Sequence, residues 1–438
     1  MNRNISSTGD APPLEGVEGV DFGEVRYLTR KSRGLTIANT GRVPATFSFV
    51  KRPASQDGND RICPEWLGVS FVASNDDNEY ENLETDVTLV PGDAINVTLE
   101  IYVDSIAHVR ALNGGSMQLD DVLVLRVLDG RDHFIPVRGS WLQSCFGRSI
   151  DELIRVPEGG VRALRPPRHD SESAPINRGQ EVCWSAPREL FKLTEAIEIL
   201  IERAVADKDM IESASFPRNA NGWPFEDSSW IVSDRSIREE RRSRLLEALD
   251  NDKNLIESFS PDTGAVEKLE IVSEVLLLFL GSIEDGIITT ELWDKLEQGM
   301  ASRKQPLIPE EERTWILDVL SSAPNHNISF VFLTSMLSKV AAELAPLPRT
   351  SSTHGSGSTR SSMDHRRSLS FKGRSSPISQ DPMINRRKAM ARRWSEIFAA
   401  VIFKTSPVAR ERDRRVAEDR KRQILEVFLQ GDMDYSPG

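Results

Sequence analysis

From Gly19 to about Trp141 the chain consists of short runs in which apolar and polar residues alternate, separated by Gly, Asn, Asp and Pro. An alternation of period two is the mark of a half-buried strand, and the separators are turn formers. Leu35 to Asn39 alternates, Thr40-Gly41-Arg42 is a turn signal, and Val43 to Val50 resumes the alternation, which predicts a hairpin-like pair. Asp86 to Val90, the turn Pro91-Gly92-Asp93 and Asn96 to Val103 repeat the pattern, as do Val122 to Val127, the turn Asp129-Gly130 and Phe134 to Val137. So many short strands in about 120 residues predict a small antiparallel sandwich of immunoglobulin-like type.

From Pro187 the period changes. Leu190, Leu193, Ile197, Leu200, Ile201 and Ala204 recur at helical spacing, so an amphipathic helix packs one face on a core. Further helices are expected at Ser236–Leu249, Val266–Leu280, Thr290–Met300, Glu310–Leu320, Ile328–Leu344, Arg386–Ile402 and Arg414–Leu429. The predicted fold is therefore multidomain β + α: an N-terminal β-sandwich followed by an all-α domain. The expected bounds are a disordered N-terminus 1–17, the sandwich 18–146, a linker 147–186 rich in Pro, Arg and Gly, and the helical domain 187–345 resuming at 384–430. A Ser- and Arg-rich insertion, 346–383, has almost no large apolar residue to offset its ordering entropy and is expected to be disordered, and 431–438 is a tail.

Two domains agree with a length of 438 residues, and 39% apolar with 28% charged residues is the composition of a globular protein. A net charge of −12 argues against nucleic acid as the main partner, since phosphate recognition needs a clustered basic surface. No apolar run reaches the roughly 20 residues of a membrane span, and the N-terminus has no apolar signal-peptide stretch. Cys63, Cys145 and Cys183 are far apart without metal-ligand spacing, as expected in a reducing cytosol. The glycosylation-like triplets at Asn96 and Asn327 are accordingly chance matches.

Walker, GxGxxG, HExxH and GxSxG sequences are absent, and the six histidines are scattered, so no catalytic site, metal or cofactor is expected from motifs. Arg366 and Arg367 precede Ser368 and Ser370, a pattern suited to phosphorylation by a basophilic kinase. Arg386, Arg387, Lys388 and Arg392 concentrate positive charge on a helix and form a candidate face for an anionic membrane or an acidic partner. The blander alternative is a solvated helix laced with ion pairs such as Glu411 with Arg415.

Several local sequences carry a family resemblance: Val20-Asp21-Phe22-Gly23-Glu24-Val25, Leu35 to Phe47, Cys63-Pro64-Glu65-Trp66-Leu67, Pro91-Gly92-Asp93 and Gly139 to Gly147. In their order and spacing they resemble the ASH sandwich of the type II inositol polyphosphate 5-phosphatases (OCRL-like). The helical part is similar to the RhoGAP-like domain that follows it there, through Val275 to Leu280 with Ile287-Ile288, Phe330 to Leu344 and Arg393 to Ile402.

The resemblance implies a surface for Rab-type GTPases on the sandwich, and for Rho-type GTPases and endocytic adaptor peptides on the helical domain, at endosomal or Golgi membranes facing the cytoplasm. An active RhoGAP inserts an arginine at the GTP phosphates. Aligned at Trp230-Ile231-Val232-Ser233, that position is Ser233, whose neutral hydroxyl cannot replace a guanidinium. The family's lysine is replaced by Leu277 and its late-helix asparagine by Arg393, so the resemblance implies a GAP fold kept for binding. Two alternatives stand beside it: an active GAP using Arg235, two residues further on, and a fragment of a 5-phosphatase whose catalytic domain lies upstream.

Overall fold

The computed structural model describes residues 3–6, 19–52, 61–72, 79–80, 86–164, 184–210, 217, 220–232, 234–303, 305, 307–346, 382–406 and 410–430, of which 3–6, 72, 79 and 80 by backbone only. They form two compact units. Unit 1 comprises Met1–Lys192, Val232–Thr263 and Leu278–Gly286, and unit 2 comprises Leu193–Ile231, Gly264–Leu277 and Ile287–Gly438.

Unit 1 contains the strands, β1 (Arg3–Ser6), β2 (Val20–Val25), β3 (Lys31–Ala38), β4 (Ala45–Phe49), β5 (Leu67–Val72), β6 (Glu79–Tyr80), β7 (Val87–Leu89), β8 (Ala94–Ile101), β9 (Leu119–Val127) and β10 (Asp132–Trp141). They make two five-stranded sheets, in the orders β1-β3-β8-β5-β6 and β2-β10-β9-β4-β7. Leu35, Ile37, Val69, Phe71, Val97 and Leu99 of one sheet and Phe22, Phe47, Phe49, Leu123, Leu125, Ile135 and Val137 of the other are buried. Phe71 lies 6.2 Å from Phe47 and 5.9 Å from Phe49 between ring centroids, so aromatic contacts cross from sheet to sheet.

Of the three expected hairpins only the last pairs with itself: β9 and β10 are antiparallel, with Leu125 opposite His133 and Leu123 opposite Ile135. β3 pairs with β8 and β4 with β9, so the segments joined by Thr40-Gly41-Arg42 lie in different sheets, and so do β7 and β8. Buried Asn39 explains both crossings. Its side-chain amide donates to the carbonyls of Val43 at 2.8 Å and Leu89 at 2.9 Å, and its Oδ1 accepts from Gly41 N–H at 3.0 Å. The second turn closes on it too, Gly92 N–H donating to the Asn39 carbonyl at 2.8 Å, with Gly92 at φ 93°, a conformation glycine adopts without strain. Alternation fixes which side chains face inward, whereas one buried amide decides which sheet the chain enters next.

Two other expectations are corrected. Arg3–Ser6 pairs parallel to β3, so the segment expected to be a disordered N-terminus contributes an edge strand, while the rest of 1–17 apart from these four lies outside the described residues. The expected linker begins as folded chain. After the first helix, α1 (Ile106–Asn113), the short helix α2 (Ile150–Leu153) is closed by a capping box between Ser149 and Glu152, and Val161–Ala163 makes a 3₁₀ turn. Ile150, Leu153 and Val161 are buried. Residues 165–183, and with them Cys183, lie outside the described residues.

Every expected helix is present: α3 (Arg188–Met210), α4 (Arg235–Asp250), α5 (Ala265–Ser282), α6 (Thr290–Ser302), α7 (Pro309–Leu320), α8 (Pro324–Leu344), α9 (Pro382–Ile402) and α10 (Glu411–Gln430). Several begin a few residues early, because proline is accommodated in a first turn where its missing N–H is not needed, as Pro309 of α7 and Pro324 of α8 show. In unit 2, α10 packs on α7, α8 and α9. Phe330 meets Phe428 edge-on at 5.0 Å, and Trp394 and Phe398 are fully buried.

Unit 1 also contains a buried charge cluster. Asp250 of α4, 3% exposed, accepts at Oδ1 from the N–H of Cys145 at 2.8 Å and the hydroxyl of Ser144 at 3.2 Å. The Arg162 guanidinium lies 3.1 Å from Asp250 Oδ2 and 2.7 Å from Glu247, and donates to the Gln143 carbonyl at 2.7 Å. Burial pushes the Asp250 carboxyl above the usual range, against the pull of Arg162 and the Cys145 amide. The cluster joins the exit of the sandwich to α4, so α4 folds with the sandwich although it follows the helical period.

Candidate functional site

Of the three positions that the resemblance marks, two lie among the described residues. Ser233 lies outside the described residues. Leu277 of α5 is half-buried. Arg393 of α9 is held by two carboxylates, Glu226 and, at 2.9 Å, Glu396, and these hydrogen bonds raise its already high pKa further. A guanidinium engaged on both sides fastens the 220–231 loop to α9.

That loop is anchored from beneath as well. Phe225 stacks edge-on against Trp394 at 5.3 Å and Phe398 at 4.9 Å. Glu270 of α5 is buried and accepts from Trp223 Nε1 at 3.0 Å and from the N–H of Ile231 at 2.9 and 3.1 Å. The Trp230 indole donates to the Pro224 carbonyl at 2.7 Å. Ile231, 37% exposed, therefore stands on a loop of fixed shape.

Arg235, the alternative finger, opens α4 in unit 1. Its side chain is 82% exposed and pairs with Glu239 one turn on at 2.9 Å. The preceding Asp234 caps the helix by accepting from the N–H of Ser236 at 2.8 Å and Ile237 at 3.3 Å, bonds that hold its carboxyl below the usual range. Arg235 is thus the first residue of a capped helix, with an ordinary exposed i,i+4 partner.

The outer face of the second sheet of unit 1 carries a feature the strand assignments passed over. Phe134 is 59% exposed and Val122 43%, and in the register Phe134 stands opposite Val124 and Pro136 opposite Val122. One end is closed by the ion pair of Arg126 with Asp132, at 3.0 and 2.9 Å, the other by Arg138 with Asp21 at 3.1 Å. An apolar centre with a charged rim on a sheet face is the anatomy of a docking surface. The signal was in the sequence: Val122-Leu123-Val124-Leu125 and Phe134-Ile135-Pro136-Val137 are apolar at both parities, whereas an antiparallel sheet needs only one apolar face for its core.

The basic candidates do not form one exposed face. Arg387 is 3% exposed and drops out, Arg386 is half-buried, Lys388 is exposed, and Arg392 is exposed and 3.7 Å from Glu396. In α10, Arg414 and Arg415 pair with Glu411, and Arg422 with Asp419 and Glu426, at 2.6 to 3.4 Å. Ser368 and Ser370 lie outside the described residues. Among the described residues no group of three or more His, Cys, Asp and Glu could hold a metal ion, and no helix is long and apolar enough to cross a membrane. Cys63 and Cys145 are free thiols, and burial pushes the Cys63 thiol up to about 11, which leaves it a poor nucleophile.

Residues 16–141, the segment of the sandwich from β2 on, match the family model of the inositol polyphosphate 5-phosphatase OCRL-like ASH domain. The chain is similar to the type II inositol 1,4,5-trisphosphate 5-phosphatase of Mus musculus, 28% identical over 276 residues that cover 61% of this chain and 22% of the relative. It thus spans about a fifth of that protein's length. The chain also matches the crystal structure of human Rho GTPase activating protein 15 at a TM-score of 0.34 and 10% identity, covering 66% of this chain and 91% of the other.

Proposed function

We propose that the chain is a non-catalytic adaptor that docks small GTPases of the Rab and Rho type and endocytic adaptor peptides, acting in the cytoplasm at the periphery of endosomal or Golgi membranes. The observation that carries this reading is the exposed apolar face around Phe134 on a sandwich that matches the OCRL-like ASH domain. The anchored 220–231 loop supports it on the helical side: Arg393 spends its donors on Glu226 and Glu396, and Leu277 offers no charge.

A second reading has an observation in its favour. Arg235 is exposed, and its single exposed ion pair is weak enough for a partner to displace, so it has the freedom an active finger needs. Single-turnover GTP hydrolysis by Rho-, Rac- and Cdc42-type GTPases separates the two. The adaptor leaves the intrinsic rate unchanged, and Arg235→Ala changes nothing. Acceleration approaching the 10³ to 10⁵ range that a finger supplies, abolished in Arg235→Ala, overturns the non-catalytic assignment.

A further inference from the structure

Glu189, in the first turn of α3, is 3% exposed, and its Oε2 has no hydrogen-bond partner. Its own backbone N–H is the donor that favours the ionised form, and the cation that acts on it, Arg188, is engaged by another carboxylate, as are the cations of the neighbouring segments. On α3 itself, Arg188 pairs with Asp252 at 2.7 Å and Lys192 pairs with the same carboxylate. On the 3₁₀ turn, Arg162 is shared between Asp250 and Glu247 of α4, and at the sandwich exit Arg148 donates to the Ser144 carbonyl at 2.9 Å and to Gln143. The remaining titratable group of that exit, Cys145, is a buried thiol. Asp250 and Asp252 add negative charge beside Glu189. An ionised carboxylate buried without a cation or a full set of donors is strongly disfavoured, whereas the neutral acid tolerates the site.

We propose that Glu189 is a proton-operated latch: it is held as the neutral acid while the start of α3 is packed in unit 1, and its ionisation loosens that turn. Burial, and then the neighbouring carboxylates, push Glu189 up to about 7, so the change falls in the physiological range. The folded state holds the proton more tightly than the unfolded chain. The latch therefore stabilises fully below the ordinary carboxylate range and loses that stabilisation as pH rises through about 7.

With titration near 4.5 unfolded and near 7 folded, the equilibrium for holding the turn falls about tenfold between pH 6 and pH 8. Hydrogen exchange of the full chain, corrected for the intrinsic pH dependence of exchange, reads this in the amides of 190–196. Wild type is expected to lose about tenfold protection from pH 6 to pH 8, and Glu189→Gln to show no such loss. Protection that does not depend on pH in the wild type overturns the latch, and so does an undiminished loss in Glu189→Gln. If Glu189→Gln does not fold, Glu189→Met serves the same comparison, and the wild-type profile decides without either variant.

Discussion

Replacing Asp250 with alanine lowers the stability of unit 1 by about 3 to 5 kcal/mol, the cost of breaking a buried charge pair by removing one partner. The change strands three donors together: the Arg162 guanidinium, the Cys145 amide and the Ser144 hydroxyl all lose the carboxylate they share. Glu247 still holds Arg162 at 2.7 Å, which keeps the loss at the lower end of that range. A lowered urea midpoint, with the sandwich and α4 unfolding together, is the expected result. A loss below about 1 kcal/mol, no more than a surface substitution costs, means that the cluster contributes little to the unit.

The second large effect is on binding. Phe134→Asp weakens docking of a Rab-type GTPase by about 30-fold, the loss of about 2 kcal/mol expected when the aromatic anchor at the centre of an apolar patch is removed. Because Phe134 is 59% exposed and points away from the sandwich core, the variant keeps its stability to within about 0.5 kcal/mol. Unchanged unfolding with weakened binding is the pair of results that locates the contact on this face. Arg126→Ala, at the rim, costs much less, since its bidentate pair with Asp132 is exposed.

Much of the architecture was legible because each stretch of chain keeps one period: Leu35 to Val50 alternates, while Leu190 to Ala204 repeats every three to four residues. What was not legible depends on single long-range contacts. The β3 to β4 turn looks like a hairpin turn, and only Asn39 binding the carbonyls of Val43 and Leu89 sends the chain into the other sheet. α4 carries a helical pattern that says nothing of its place, and Asp250 with Arg162 assigns it to the sandwich's unit. Of the candidate site, Leu277 and Arg393 were singled out through the resemblance alone, and nothing in the sequence tells that Arg393 pairs with Glu226, 167 residues away. The Phe134 face was visible as an excess of apolar positions and passed unnoticed because a strand assignment asks only for one good face. Arg387 failed in the opposite sense: a run of basic residues on a helix turns every few positions inward, and this one is buried.

The central claim is that the chain binds small GTPases by surface recognition without turnover. Equilibrium titration of the purified chain against a panel of Rab- and Rho-type GTPases, each loaded with GDP or with a non-hydrolysable GTP analogue, tests it most directly. The account predicts saturable binding to at least one member that prefers the GTP form and weakens in Phe134→Asp. Absence of binding to every member in either nucleotide state contradicts it.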